Sequence, residues 1–235
     1  MTYVRHETLA EGVEVWQADM LELLPTLGEF DACVTDPPYG IGYGALMKGK
    51  GDGNGGLDAN RWKDYGDFDW DNDRPERIAF DLILAKSNVQ IIWGGNYFTD
   101  FIPPTMQWLI WDKGQRFSLA DFEMAWSSQK KAARIMTYTR PQALQDGREH
   151  PTQKPIEVMK WCIDQLPADV GTILDPFMGS GTTGVAAVKK GKAFYGIERE
   201  AKYFDIACRR ISDALKQPDL LIEMPAPKPK QEILI

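Results

Sequence analysis

The sequence contains little cysteine, and the cysteines that it has stand apart from one another. Its 235 residues include three, Cys33, Cys162 and Cys208, and no two of them have the C-x-x-C spacing. Isolated cysteines supply neither the disulfide framework of a small secreted domain nor the ligands of a zinc site. We therefore expect no disulfide and no metal site, and a chain that works in a reducing cytoplasm.

Long apolar runs are also missing from the sequence. No stretch approaches the roughly 20 apolar residues that a membrane-spanning helix needs. The first residues, from Met1 to His6, lack the apolar core of a signal peptide. We therefore expect no membrane partner, and the length is compatible with one α/β domain and its insertions.

The sequence also lacks an overall positive charge, since its formal net charge is −7. That charge argues mildly against a nucleic-acid partner, but binding depends on a local basic face rather than on the total. The segment from Lys113 to Lys154 carries eight Lys and Arg against four Asp and Glu, a local balance of +4. It is either an ordinary solvated face or a surface that contacts nucleic acid.

The sequence does contain a regular alternation of strand and helix patterns. Short apolar and β-branched runs predict strands at 13–18, 31–36, 89–93, 106–111, 123–127, 135–139, 172–175 and 193–198. Apolar residues at helical spacing predict helices at 20–27, where Pro25 breaks the helix, and at 75–86, 155–166, 182–190 and 201–216. This alternation predicts an α/β fold with a doubly wound, mainly parallel sheet that is covered on both faces. We assign residues 1–216 to that domain and expect residues 217–235, which contain four prolines, to be extended or disordered.

The strand at 31–36 ends in a stiff corner, Asp36-Pro37-Pro38-Tyr39. Neither proline has an N–H to donate, and each fixes its own φ, so regular strand pairing must stop there. The corner therefore holds the Asp36 carboxylate, the Pro37 carbonyl and the Tyr39 ring together. Two acceptors beside an aromatic ring suit a flat base that carries an amino group. A proline-capped strand end with a surface tyrosine is the simpler alternative.

A glycine-rich turn follows the strand at 172–175. Its pattern, Gly179-x-Gly181-x-x-Gly184, opens a helix, and Glu198 ends the next strand. Glycines let a ligand approach the backbone closely, and a carboxylate at Glu198 can accept both hydroxyls of a ribose. The pattern indicates a cofactor that contains adenosine, and NAD is one candidate. The absence of Gly-Lys-[Ser/Thr] disfavours a P-loop, and the short remainder of the chain leaves little room for the second half of a nicotinamide domain.

Four segments taken together resemble one known family. They are Ala18-Asp19, Asp36-Pro-Pro-Tyr39, His150-Pro-Thr-Gln-Lys-Pro155 and Asp175-Pro-Phe-Met-Gly-Ser-Gly-Thr-Thr183. Segments of these kinds are found in DNA amino-methyltransferases that use S-adenosylmethionine. With the corner first and the glycine-rich turn last, their order is similar to that of the β class of that family. The resemblance implies a Rossmann-like methyltransferase fold with a circularly permuted motif order, in which the strands ending at Asp36 and Asp175 are neighbours.

The resemblance also implies roles for individual residues. The catalytic corner would consist of Asp36, Pro37, Pro38 and Tyr39. S-adenosylmethionine would be bound by Asp19 at its adenine amino group, by Lys154 near its methionine carboxylate and by Glu198 at its ribose. The turn would supply the remaining cofactor contacts, namely Asp175, Phe177, Gly179, Ser180, Gly181 and Thr182.

The implied reaction is transfer of a methyl group to the N6 amine of a flipped-out adenine in DNA. Cytosine-N4 methylation shares this chemistry, and Asp36 at the head of the corner favours adenine only by family habit. A nicotinamide-dependent oxidoreductase is the alternative from another class, and a DNA-binding module without activity is a third. Attack by a cysteine, as in cytosine-C5 methyltransferases, is not expected, because none of the three cysteines follows a proline.

DNA is the partner that this reaction implies. We expect target-recognition elements within residues 40–75 and 113–150. Phosphate contacts are expected from four basic residues of the second segment, Lys130, Lys131, Arg134 and Arg140. The resemblance leaves a homodimer and a cognate restriction endonuclease open as further partners.

Overall fold

The computed structural model describes residues 3–42, 73–114, 120–145 and 153–216. Nine strands form one sheet: β1 Arg5–Ala10, β2 Val13–Gln17, β3 Phe30–Thr35, β4 Ser87–Trp93, β5 Gln107–Asp112, β6 Phe122–Ser127, β7 Arg134–Thr137, β8 Thr172–Asp175 and β9 Ala193–Glu198. The α-helices are α1 Met20–Leu23, α2 Arg77–Lys86, α3 Arg140–Gln145, α4 Ile156–Asp164, α5 Thr182–Lys189 and α6 Ala201–Lys216.

The strand order is β1-β2-β9-β8-β3-β4-β6-β5-β7. The direction in which successive strands are added to the sheet reverses between β8 and β3, which are themselves parallel. All pairs from β2 to β4 are parallel, whereas β1 and β6 run antiparallel to their neighbours. The chain leaves β3 towards β4 on one side and leaves β8 towards β9 on the other. This is the doubly wound, mainly parallel sheet that the sequence predicts. The predicted adjacency of the strands before Asp36 and Asp175 is confirmed by the pairing of Ala32 with Ile173.

Alternate residues of the central strands pack into two separate hydrophobic clusters. On β3, Ala32 and Val34 face the cluster that contains side chains of α4, α5 and α6, whereas Cys33 faces the cluster formed with α1 and α2. Phe204 of α6 and Phe80 of α2 are fully buried in these two clusters. Burying a side chain of this size stabilises the fold by roughly 1.5–3 kcal/mol, so both helical layers are fastened to the sheet. None of the described helices is both long and apolar enough to cross a membrane.

Two elements were not predicted from the sequence. β1 carries mostly exposed side chains, and the short helix α3 has too few residues to show helical periodicity. The predicted helix at 20–27 is divided into α1 and a 3-10 turn at Leu24–Thr26, since Pro25 cannot donate the hydrogen bond that would continue it. The predicted helices at 75–86 and 155–166 begin later, at Arg77 and Ile156. The expected tail, 217–235, lies outside the described residues.

The start of α5 packs closely against α6 at Gly181, which has no side chain to separate the two helices. Gly181 has a φ of +79°, and a Cβ added there would lie 2.9 Å from Cβ of Ala207 on α6. Gly191 also has a left-handed φ, +66°, but a Cβ added there would meet nothing within 4 Å. The two positions therefore share the same backbone requirement and differ in packing.

Gly181→Ala should lower the free energy of unfolding more than Gly191→Ala does. A Cβ in the left-handed conformation costs roughly 1–2 kcal/mol at either position. Overpacking against Ala207 adds a further loss of roughly 1–3 kcal/mol at position 181 alone. Urea denaturation of both variants measures the difference, and equal losses would show that α6 moves aside without cost.

Candidate active site

The corner after β3 brings three polar side chains into contact. The Asp36 carboxylate accepts a hydrogen bond from the Tyr39 hydroxyl at 2.6 Å and another from Lys154 Nζ at 2.7 Å. Lys154 Nζ also donates to the Tyr39 hydroxyl at 3.1 Å. The side chain of Asp36 keeps 24% of its surface exposed, whereas Pro37 is buried and fixes the backbone behind it. One oxygen of Asp36 is thus oriented by Tyr39 and the other by Lys154.

Lys154 belongs to a line of alternating charges that we call the ion chain, Asp36–Lys154–Glu123–Lys113. Lys154 Nζ lies 3.0 Å from one carboxylate oxygen of Glu123, and the other oxygen lies 2.6 Å from Lys113 Nζ. Burial would raise the pKa of the Glu123 carboxyl, but the two ammonium groups outweigh it and lower the pKa to about 2. Burial opposes the charge of Lys154 as well, yet Asp36 and Glu123 raise its pKa well above the usual value. Glu123 and Lys154 are therefore both charged at neutral pH.

Asp36 differs from Glu123 in the direction of its pKa shift. Burial raises the pKa of the Asp36 carboxyl above its usual value, although the charge and hydrogen bond of Lys154 oppose that rise. The contact between Lys154 and Asp36 was not predicted from the sequence. The cofactor contact that was predicted for Lys154 is untested, and the residue does line the cavity described below.

The ring of Tyr39 is stacked on a second tyrosine. Its centroid lies 4.9 Å from that of Tyr97, with 18° between the planes. Close contact at this point needs Gly94, because a Cβ there would lie 2.2 Å from Cε1 of Tyr39. Tyr97 is 41% exposed and extends the aromatic surface beyond the corner. Sequence reasoning assigned no role to Tyr97.

The glycine-rich turn is connected to the corner through Asp175. Its carboxylate accepts hydrogen bonds from the Thr35 hydroxyl at 2.7 Å and from the Phe177 backbone N–H at 3.1 Å. Asp175 is 1% exposed, and burial raises the pKa of its carboxyl to about 6. This side chain ties the end of β3 to the end of β8, so the corner and the turn are positioned relative to each other.

Glu198 and Asp19 both use their carboxylates to hold local backbone. Glu198 accepts hydrogen bonds from the backbone N–H groups of Gly179 at 2.8 Å and Glu200 at 2.7 Å. Burial raises the pKa of the Glu198 carboxyl to about 7. Asp19 caps the N-terminus of α1 by accepting a hydrogen bond from the Leu21 N–H at 2.8 Å.

Arg210 of α6 holds the turn from its other side, and the sequence did not mark it. Its guanidinium donates to the Ser180 carbonyl at 2.6 Å, to the Ser180 hydroxyl at 2.9 Å and to the Thr182 hydroxyl at 3.1 Å. These hydrogen bonds fix the peptide that lies between the two left-handed glycines, Gly179 and Gly181. A basic residue in the third turn of an amphipathic helix gives no sequence signal for such a role.

A cavity of about 430 Å³ lies where these elements meet, at the carboxyl ends of β2, β9, β8 and β3. Small-molecule sites typically occupy roughly 300–1,000 Å³ and lie at such switch points in α/β sheets. Two residues of the corner and eight of the nine predicted cofactor residues line it, namely Asp36, Pro38, Asp19, Lys154, Asp175, Phe177, Gly179, Ser180, Thr182 and Glu198. The whole lining contains seven Asp and Glu residues against three Lys and Arg residues, so the cavity has an excess of acidic groups.

Arg74 lines this cavity and is fixed by contacts with residues that follow β4. It forms two hydrogen bonds with the Asp100 carboxylate, one of 2.9 Å, and its guanidinium lies 4.3 Å from the ring centroid of Phe101. A Cβ added at Gly40 would lie only 2.7 Å from the backbone nitrogen of Arg74. The two ends of the predicted recognition segment therefore meet beside the cavity, although most of 40–75 lies outside the described residues.

The four basic residues predicted to contact DNA do not lie together. Lys130 and Lys131 follow β6, and Lys131 Nζ donates to the Gln165 carbonyl, just beyond the end of α4 that is farther from the corner. The nine residues of α4 span about 14 Å at 1.5 Å per residue. These lysines therefore lie at the opposite edge of the sheet from the cavity, where the parallel strands begin. Arg134 begins β7 at that same edge, whereas Arg140 begins α3 beyond the other end of β7. The predicted phosphate contacts are untested, and the placement supports only Arg140.

The chain matches a protein-family model, a relative in sequence and solved structures. Residues 84–209 match the N6/N4 family model that is described as DNA methylase. The chain is 28% identical to the Type II methyltransferase M.HinfI of Haemophilus influenzae, over 94% of this chain and 75% of that protein. The fold is similar to that of the M1.HpyAVI–SAM complex, with a TM-score of 0.54 and 23% identity over 84% of this chain and 98% of that one.

A second solved structure, the cytosine-N4-specific PvuII DNA methyltransferase, shares the fold with a TM-score of 0.52 and 15% identity. That similarity covers 86% of this chain and 91% of that one. These structural similarities establish the architecture, and the family match spans more than half of the 235 residues. The chain belongs to the N6/N4 DNA methylase family.

Proposed function

We propose that this DNA methylase transfers the methyl group of S-adenosylmethionine to the N6 amine of a flipped-out adenine in DNA. The observation that carries the proposal is that the Asp36 corner and the glycine-rich turn line one cavity. Family membership removes the nicotinamide-dependent oxidoreductase from consideration. It also makes an inactive DNA-binding module a poor reading, since the corner and the turn are both complete.

The charges in the cavity support the choice of cofactor. S-adenosylmethionine carries a cationic sulfonium and a cationic ammonium group, and Asp19, Asp36, Asp175 and Glu198 line the cavity. Opposite charges attract more strongly in such a partly buried site than in water, whereas the pyrophosphate of NAD would be repelled. When bound, S-adenosylmethionine supplies an electrophilic methyl group. Glu198 would accept hydrogen bonds from its ribose, and Asp19 would accept one from its adenine amino group.

The corner has the groups that an exocyclic amine needs in order to react. The N6 lone pair is delocalised into the adenine ring, which makes the amine a poor nucleophile. Each oxygen of the Asp36 carboxylate can accept two hydrogen bonds, so one site on each remains after the contacts with Tyr39 and Lys154. Asp36 and the Pro37 carbonyl would accept the two amino protons, and the carboxylate would stabilise the positive charge that develops on N6.

Orientation of the amine towards the methyl group would supply the rest of the rate enhancement. The corner is rigid, so it can hold the amine in line with the sulfonium methyl group. The proton can leave N6 after the transfer, and a dedicated general base is not required. A base inside a duplex cannot reach a cavity of this depth, so the adenine must be flipped out, at a cost of a few kcal/mol.

The choice between adenine and cytosine has fewer observations behind it than the choice of cofactor. The N4 amine of cytosine presents the same two protons to Asp36 and Pro37, and a cytosine-N4-specific enzyme shares the fold. Adenine is supported by Asp36 at the head of the corner. Incubation with tritiated S-adenosylmethionine and mixed-sequence DNA, followed by digestion to nucleosides, tests the proposal. We expect label in N6-methyldeoxyadenosine, and label in N4-methyldeoxycytidine would assign the other base.

Partners beyond DNA stay at the level of proposals. M.HinfI is named a Type II methyltransferase, and that name is consistent with a cognate restriction endonuclease as a partner of this chain too. A homodimer is a prediction from the family resemblance alone.

Binding of S-adenosylhomocysteine, the demethylated product, should weaken as the pH falls through about 7. Only ionised Glu198 accepts both ribose hydroxyls, and the pKa of this carboxyl is about 7. The affinity should therefore drop about tenfold between pH 8 and pH 6. Glu198→Gln should bind more weakly at pH 8 by roughly 1–3 kcal/mol and lose the pH dependence.

Calorimetry with S-adenosylhomocysteine and with NAD measures both effects. Glu11→Gln, an exposed carboxylate outside the cavity lining, is the matched control and should behave as the parent does. Parent-like affinity of Glu198→Gln at every pH would place the ribose elsewhere, and binding of NAD without S-adenosylhomocysteine would overturn the cofactor proposal.

Asp36→Ala should slow methyl transfer by about 10²–10³-fold while the affinity for S-adenosylhomocysteine stays close to that of the parent. Asp36→Asn keeps an acceptor oxygen but brings no negative charge, so partial activity is expected. Single-turnover transfer of tritium at saturating cofactor and DNA measures the rate. Transfer by Asp36→Ala at the parent rate would mean that the corner is only structural.

Arg140→Ala should lower the slope of log affinity for DNA against log salt by about one unit, since one phosphate contact is lost. Arg140 begins α3 on the edge of the sheet that carries the cavity, where a flipped base must enter. The triple variant Lys130→Ala, Lys131→Ala and Arg134→Ala is the matched comparison at the opposite edge and should keep the parent slope. The reverse result would mean that DNA follows the opposite edge.

A further inference from the structure

The ion chain extends the corner with two residues to which no motif assigns a role. Glu123 lies on β6 and Lys113 directly follows β5, so both come from the antiparallel part of the sheet. Glu123 reaches Lys154, and Lys154 reaches Asp36, through contacts of 3.0 and 2.7 Å. Through these contacts β6 is connected to the Asp36 carboxylate, on which the proposed reaction depends.

Lys154 has no freedom to turn within this arrangement. An ammonium group has three protons to donate, and three acceptors lie within reach: Asp36 at 2.7 Å, Glu123 at 3.0 Å and the Tyr39 hydroxyl at 3.1 Å. Its Nζ also lies 5.3 Å from the ring centroid of Trp93, and its side chain is 6% exposed. Removing any one of the three acceptors would therefore leave a buried donor unsatisfied or let the ammonium shift.

Lys154 alone would weaken Asp36 as an acceptor. A buried ammonium that paired with this carboxylate only would neutralise the negative charge that the cation on N6 requires. Glu123 lies on the other side of Lys154 at nearly the same distance, so the positive charge is shared between two carboxylates. Lys113, 2.6 Å from Glu123, keeps that second carboxylate ionised in spite of its burial.

We infer that Glu123 is a positioning residue for methyl transfer, which holds Lys154 in place and shares its charge, so that Asp36 stays a strong acceptor for the amino protons. The inference rests on the proposed function of Asp36. A purely structural ion pair would need the same contacts, but its loss would destabilise the fold without slowing methyl transfer in the folded variant.

The charged and titratable groups around the corner come from several elements. Asp36 faces Lys154 before α4, Glu123 on β6, Tyr39 in the corner itself and Asp175 on β8. Lys154 also faces Cys162 of α4, and Glu123 also faces Lys113. Loss of the Glu123 charge removes a negative neighbour and should lower the pKa of Asp36. Loss of the Lys154 charge should raise it.

The test is the pH dependence of single-turnover methyl transfer, at saturating S-adenosylmethionine and DNA, for the parent, Glu123→Gln and Lys154→Gln. Glu123→Gln should be slower by roughly 10- to 100-fold at pH 8, as expected when a reacting group loses its orientation. Its KM for S-adenosylmethionine should stay near that of the parent. The acid limb of the profile should move to lower pH in Glu123→Gln and to higher pH in Lys154→Gln.

Two further variants complete the experiment. Glu123→Asp keeps the charge and should restore the parent position of the acid limb, which also guards against a Gln variant that fails to fold. Glu157→Gln, an exposed carboxylate on α4 paired with Lys160, is the matched control and should follow the parent.

A parent-like rate and acid limb in Glu123→Gln would overturn the inference, and so would acid limbs that move in the same direction in both Gln variants. If the acid limb of Glu123→Asp lies at the same pH as that of Glu123→Gln, the inferred sharing of charge is overturned as well. Asp36→Ala separates this failure from failure of the proposed function. If Asp36→Ala is inactive while Glu123→Gln is parent-like, only the role of Glu123 falls.

Discussion

The hydrogen bond from the Thr35 hydroxyl to the Asp175 carboxylate joins two parts of the chain that are 140 residues apart. It is buried, and it lies where β3 and β8 pair at the point of reversal in the sheet. The corner continues from Thr35 and the glycine-rich turn continues from Asp175. The pairing of β3 with β8 and this hydrogen bond together hold the two strand ends at one level, so the cavity that both segments line depends on them before it depends on any ligand.

Charge is distributed by topology rather than by position in the sequence. The segment from Lys113 to Lys154 has an excess of basic residues, but Lys113 and Lys154 are buried in the ion chain with Glu123 and Asp36. Lys131 lies at the opposite edge of the sheet from the cavity. A count of charges therefore predicted one basic face where the fold makes an internal network and two separate edges.

Local patterns were sufficient to predict most of the fold and the outline of the site. The two-residue alternation on β3 and the helical spacing on α6 reflect burial, which is encoded within each element. The prolines after Asp36 and the glycines after Asp175 also act locally, on their own backbone. Such features can be read from neighbouring residues, and the switch point follows from the order in which they occur.

The residues that sequence reasoning missed act over long distances in the chain. Glu123 is a carboxylate on a strand with partly exposed residues, and only the pairing of β6 with β4 brings it to Lys154. Tyr97 is one of many aromatic residues until Gly94 lets it stack on Tyr39. Sequence patterns assigned neither residue a role, because these contacts form only when the sheet is assembled.

Under the proposed function, chemistry and base choice are separated in this site. Asp36 and the Pro37 carbonyl would recognise an amino group, and that group is the same in adenine and in cytosine. Discrimination must therefore come from surfaces that contact the rest of the base, where a purine needs more room than a pyrimidine. Tyr97 lies beside the corner, exposed and stacked on Tyr39, and Gly40 and Arg74, which flank residues 43–72 in the chain, lie close together. Under the proposed function, the corner could thus stay rigid and unchanged while the surrounding surface determines which base is accepted.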